Sequence, residues 1–157
     1  MSEINFKAVE LTKDAIQNLN SEWVELANNS IENNLFLSPW YAQASLNLFK
    51  DKNPFIVLIE FNNQLIGLAI FHSDIGYAKI PVGFFRTCSH YHQFLATPLI
   101  RKGCAEEFFI GVSKWLDASP ANKSFCILEL LSGIEEILNA ANLAFKSQKR
   151  SVAILEK

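Results

Sequence analysis

The sequence predicts an α/β (α+β) fold: a mixed, largely antiparallel twisted sheet flanked by helices. Three observations predict it. Apolar residues recur at spacings of three and four in four separate stretches, the signature of one-sided helices. Apolar runs of strand length fill the middle of the chain. The two kinds of stretch interleave, which places helices over a sheet. With 157 residues, 50% hydrophobic and 13 of them Phe, the chain has enough apolar surface for one core. Residues 1–157 read as a single domain, and disorder is excluded.

Ile4–Val9 alternates, with Ile4, Phe6 and Ala8 on the expected buried face of a first strand. Thr12 caps a helix carrying Ile16, Leu19, Trp23 and Leu26, with a break expected near Asn20-Ser21. Asn28-Asn29-Ser30 and Asn33-Asn34 punctuate the chain. Ser38-Pro39 opens a second helix, with Trp40, Tyr41, Ala44 and Leu48 on its inner face. Phe55–Phe61 and Leu65–Phe71 form a hairpin turning at Asn62-Asn63, since asparagine tolerates positive φ. Gly76 marks the next turn, Ile80–Cys88 a further strand with Pro81 near an edge, and Tyr91–Ile100 a fifth strand. Phe108, Phe109, Val112, Trp115 and Leu116 face inward from a third helix that Ser119-Pro120 stops. Phe125–Leu131 is a short buried strand. Ser132 and Glu135 form a capping box for a helix burying Ile134, Ile137, Leu138 and Ala141. Val152–Leu155 closes the order β-α-α-β-β-β-β-α-β-α-β. Trp23, Trp40 and Trp115 are expected in the core.

The formal net charge of −2 excludes a global field for nucleic acid. Residues 61–104 nevertheless hold Lys79, Arg86, Arg101 and Lys102 against Asp74 alone. A small anion such as phosphate suits that centre, and chance clustering explains it equally. No apolar run approaches the roughly 20 residues of a membrane span. Cys88, Cys104 and Cys126 form an odd set without close spacing, which points to reduced thiols and a cytoplasmic setting. The start Met1-Ser2-Glu3 has no secretory pattern.

Three segments carry a resemblance. Asn34-Leu35-Phe36-Leu37-Ser38-Pro39-Trp40-Tyr41 resembles an N-x-F-x-S-P-x-W pattern, Asn63–Leu68 a g-x-l-v-G hairpin strand, and Tyr91–Ile100 a y-x-d-P-L-v strand. With the element order, these resemble the GNAT (acyl-CoA N-acyltransferase) superfamily, specifically its cellulose-biosynthesis, CelD-like branch. That branch joins two such folds in tandem, so this chain resembles the first half. The resemblance implies an acyltransferase with acetyl-CoA or another acyl-CoA as donor and a small amine or sugar as acceptor. Such enzymes hold the pyrophosphate at a Gly-rich helix start, polarise the thioester with backbone N–H at a strand splay, and use a base and often a tyrosine acid.

At the expected phosphate loop stand Arg101, Lys102 and Gly103, one residue short and with one glycine. Glu106 and Glu107 follow; they suit the helix dipole and oppose a diphosphate. Residues 132–145 contain no tyrosine. His90, Tyr91 and His92 form the polar cluster most like an active site, with both histidines on one face if the segment is a strand. A strand start with surface histidines is the plainer reading. No metal is expected, since a lone H-x-H pair is too few ligands. His72 reads as structural, and Arg86 as either a snorkelling side chain or a ligand clamp. Two functions follow: an acyltransferase acting on a small molecule, or an inert GNAT-like half-domain that packs on a second domain or a second copy, or binds substrate for it. A binding module for a cell-envelope precursor is a third option.

Overall fold

The computed structural model describes residues 3–120 and 125–154. Its elements are β1 (Ile4–Glu10), α1 (Lys13–Asn28), α2 (Pro39–Phe49), β2 (Phe55–Phe61), β3 (Gln64–Tyr77), β4 (Ile80–Thr87), β5 (Leu99–Ile100), α3 (Ala105–Ala118), β6 (Cys126–Ile127) and α4 (Glu135–Ser147). One sheet runs in the order β1-β2-β3-β4-β6, with β5 also paired to β3. All pairs are antiparallel except β4–β6. The mixed fold class is as the sequence predicts.

Alternation along β2 and β3 explains why both strands are apolar on both faces. Ile56, Leu58, Leu68 and Ile70 pack with Ile16, Trp23 and Leu26 of α1 and Ala42 and Phe49 of α2. Val57, Ile59, Ala69 and Phe71 pack with α3 and α4. Thr12 caps α1, its Oγ1 accepting from Ala15 N–H at 3.1 Å, and the helix runs unbroken through Asn20-Ser21. The β2–β3 turn uses Asn62 and Asn63 at φ 49° and 63°. Gly67 is required for packing: a Cβ there would lie 2.0 Å from Phe108 Cδ2.

Several local expectations are corrected. β1 is an edge strand whose predicted inner face is open, with Phe6 and Ala8 exposed. α2 buries Pro39, Ala42, Ser45 and Phe49 instead of the larger stripe. Small side chains let it lie close to α1, and Trp40 and Leu48 turn outward at 60% and 62% exposure. Gly76 sits at a bulge inside β3, at φ 91°, and the turn falls at Ala78-Lys79. The Phe125–Leu131 strand shrinks to Cys126–Ile127, because Glu129 N–H bonds Thr87 Oγ1 and Leu130 takes φ 51°. Ser132 does not cap α4; Ile134 is the N-cap residue, and Ser132 N–H donates to Thr97 Oγ1. Residues 151–154 form no strand, and Leu155 lies outside the described residues.

The largest correction is Tyr91–Ile100, of which only Leu99–Ile100 is strand. β4 and β5 lie along the same edge of β3. Thr87 faces Phe71 and Leu99 faces Leu68, so the eleven residues 88–98 of one chain segment stand against the two residues 69–70 of the other. Nine residues are therefore looped out of what would be one continuous strand.

Overpacking a fitted core typically costs about 1–3 kcal/mol. Gly67→Ala is expected to lower unfolding stability by about that much in urea denaturation. Gly133→Ala, where an added Cβ meets nothing within 4 Å, is expected to leave it unchanged.

Candidate functional site

The looped-out segment builds one wall of an open groove of about 950 Å³. His90, Tyr91 and His92 line it from the loop, His72 and Asp74 from β3, Arg86 from β4, and Glu129 from the segment after β6. The groove thus opens where parallel β4 and β6 end, the place in α/β sheets where ligands commonly bind. The sequence brought His90, Tyr91 and His92 to attention. His72 and Asp74 share β3 two residues apart, and His72 stands opposite Arg86 in the ladder. That pairing is the signal which, given the register, reveals them.

The loop is pinned by hydrogen bonds to its backbone. Asn34 Nδ2 donates to Thr97 O at 2.8 Å and Ala96 N to Leu130 O at 2.9 Å. Asn34 belongs to the quoted N-x-F-x-S-P segment, and its Oδ1 also accepts from Phe36 N. His90 and His92 are not on a strand, yet their rings lie 6.0 Å apart.

Hydrogen bonds assign the histidine tautomers. His92 N–H donates to His90 Nδ1 at 3.2 Å. The neutral His90 ring therefore carries its proton on Nε2, which donates to Tyr41 Oη at 2.6 Å. Both nitrogens of His90 are engaged. The Tyr41 and His90 rings lie nearly parallel with centroids 6.1 Å apart, and the Phe49 ring centroid is 5.8 Å from that of the imidazole. Tyr41 comes from α2. In His72 the roles are reversed. Its Nδ1 bonds the Ser73 carbonyl at 3.2 Å, so Nδ1 carries the proton and Nε2 presents a lone pair. Desolvation holds the pKa of both histidines below the ordinary value; the charges of His92 and Lys52 add to this for His90, and those of Lys52 and Arg86 for His72.

The two arginines of the basic centre are neutralised inside the fold. Arg86 lies between Asp74, 3.4 Å away, and Glu129, and its guanidinium stands over the Phe84 ring. Arg101 forms a two-pronged pair with Glu25 of α1, and its Nε and Nη2 donate to Leu65 O at 3.1 and 3.0 Å. It ties α1 to β3. Lys102 and Gly103 are exposed, Gly103 at φ 78°, and lead through Cys104 into α3. Burial pushes the Cys88 and Cys126 thiols up to about 12, which removes them as nucleophiles at neutral pH. Among the described residues no cluster of three or more His, Cys, Asp or Glu is placed to hold a metal, and no helix is long and apolar enough to cross a membrane.

The sequence matches no protein-family model and no curated protein. Solved structures match over nearly the whole chain. The ribosomal-protein-alanine N-acetyltransferase of Brucella melitensis biovar Abortus 2308 superposes with a TM-score of 0.52 at 12% identity, over 99% of this chain and 96% of its own. Glucosamine-6-phosphate N-acetyltransferase from Arabidopsis thaliana gives 0.53 at 10%, over 98% and 96%. A Trypanosoma brucei acetyltransferase gives 0.51 at 10%, over 98% and 100%. The chain has the GNAT acetyltransferase fold. At these identities the likeness is one of architecture, and its GNAT sheet carries the looped-out segment and groove described above.

A histidine whose pKa is lowered on folding stabilises the fold above its ordinary value, 6.5 for His72, and that contribution is lost as pH falls through the lowered value. Urea midpoints are expected to decline as pH falls below about 6.5, and less steeply in His72→Gln. Glu25, lowered by its bond to Arg101, acts in a lower window. The stability difference between wild type and Glu25→Gln is expected to shrink as pH falls below about 4.5.

Proposed function

We propose that the groove is the acceptor site of an acyl-transfer enzyme that draws on acetyl-CoA or another acyl-CoA. The observation that carries this reading is the pairing, on a GNAT fold, of a groove-lining His72 imidazole with a free lone pair and a groove-lining His90 hydrogen-bonded to Tyr41 of α2. His72 Nε2 takes the proton of the acceptor amine or hydroxyl as that atom bonds the acyl carbon. The C–S bond breaks, and the Tyr41–His90 pair returns a proton to the leaving thiolate. His90 positions Tyr41, while Tyr91 and His92 contact the acceptor at the rim. Lys102, Gly103 and the free N–H groups opening α3 hold the CoA phosphates, with Arg101 fixing the turn from behind.

The second reading, an inert GNAT-like half-domain that packs on or binds substrate for another domain or a second copy, is favoured by two specific facts. Ala96 and Thr97 bridge to Leu130 and Ser132 beyond the end of the β4–β6 pair, where a splay is needed for the thioester. The donors of Arg101 are engaged by Glu25 and Leu65.

Titration calorimetry with acetyl-CoA, CoA and longer acyl-CoAs separates the two. The enzyme reading expects binding that Lys102→Glu weakens about threefold or more, and turnover that Tyr41→Phe lowers by about 10²-fold without changing donor affinity. Absence of binding up to about millimolar donor establishes the inert reading in its place.

A further inference from the structure

We infer that the groove recognises a neutral saccharide of more than one ring. The inference rests on the groove being a small-molecule site, and it names the class of molecule.

Charge comes first. Lys52 and Arg86 stand against Asp74 and Glu129 on the lining; both carboxylates pair with Arg86, and Lys52 donates to Ser89 O at 2.9 Å. Arg86 is clamped between its two carboxylates, so an incoming phosphate or carboxylate meets two anions around the guanidinium. A polyamine meets Arg86 and Lys52 beside those carboxylates. At the Arg86 cluster neither a strong anion nor a polycation finds an unmatched partner. A hydroxylated ring does, because each hydroxyl both donates and accepts. The remaining carboxylate lone pairs, the Arg86 N–H groups and the His72 lone pair form such a mixed set.

Shape comes second. Tyr91 is 91% exposed, and its ring centroid lies 3.9 Å from that of the neighbouring His92 imidazole. The turn beneath it is fixed by Gln93 N–H to His90 O at 2.9 Å and by His92 N–H to His90 Nδ1. An exposed aromatic on a fixed turn at a groove rim is a platform for the C–H face of a sugar. Leu48 and Leu130, both exposed, add apolar surface on the lining. The volume of about 950 Å³ lies at the top of the range of small-molecule sites, room for two or three rings.

The test is titration calorimetry of the full chain without any acyl donor. The probes are neutral di- and trisaccharides of glucose, galactose and N-acetylglucosamine, with glucose 6-phosphate, an aminoglycoside and adenosine as contrasts. At least one neutral oligosaccharide is expected to bind, and Tyr91→Ala and Glu129→Gln each to weaken it about tenfold. Circular dichroism checks that both variants fold, and the exposure of Tyr91 makes its substitution safe for the core. The inference is overturned if no neutral saccharide binds at about 10 mM. Tighter binding of the phosphate, the aminoglycoside or adenosine overturns it too, as does unchanged affinity in Tyr91→Ala. Saccharide binding without CoA binding removes the enzyme reading alone, and CoA binding without saccharide binding removes this inference alone.

Discussion

The structure depends on one edge of β3 having two partners. β4 pairs with its C-terminal part and β5 with its N-terminal part, along one line. The nine extra residues between them must leave the sheet, and the groove exists because they do. A loop leaving the centre of a sheet would bury unpaired backbone groups, at a cost comparable to lost hydrogen bonds. Asn34, Leu130 and Thr97 remove that cost by direct bonds. The residues that pin the loop come from the α1–α2 connection and from the segment after β6, so both layers take part in shaping one wall.

Electrostatics follow from the same assembly. The middle of the chain is basic in sequence, but its arginines meet carboxylates from distant segments. Arg101 reaches Glu25 and Arg86 reaches Glu129, 76 and 43 residues away. What read as a basic ligand patch is two internal ties with a charge-balanced groove beside one of them. A salt bridge between partly exposed groups contributes modestly to stability. The effect on function is larger, since it removes the anion preference that the linear charge count suggests.

Much of the fold is legible from periodicity. The inner face of α3, the α1 cap with Ile16, Trp23 and Leu26, and the Asn62-Asn63 hairpin all stand where the pattern puts them, because each is decided by neighbours within a few residues. The failures share a cause. Ser132 and Glu135 have the spacing of a capping box, but Thr97 claims the Ser132 backbone first. Trp40 has the stripe of a core residue, but Ala42 and Ser45 offer α1 a closer fit. In the site, His90, Tyr91 and His92 were visible as a polar cluster. Arg86 stood out only singly, as a snorkelling side chain or a ligand clamp, and His72, Asp74 and Glu129 did not, because only the strand register and the path of the loop bring the four to one groove, with Tyr41 bonded to His90.

By itself, then, the sequence determined the class of fold, the strand hairpin and the four helices, through local spacing of apolar residues and turn chemistry. The tertiary structure decided which face each helix buries and where the central strand breaks. Those outcomes rest on contacts between residues far apart in the chain, and a hydrogen bond or a close-packed pair that forms only on folding overrides a local preference of similar size.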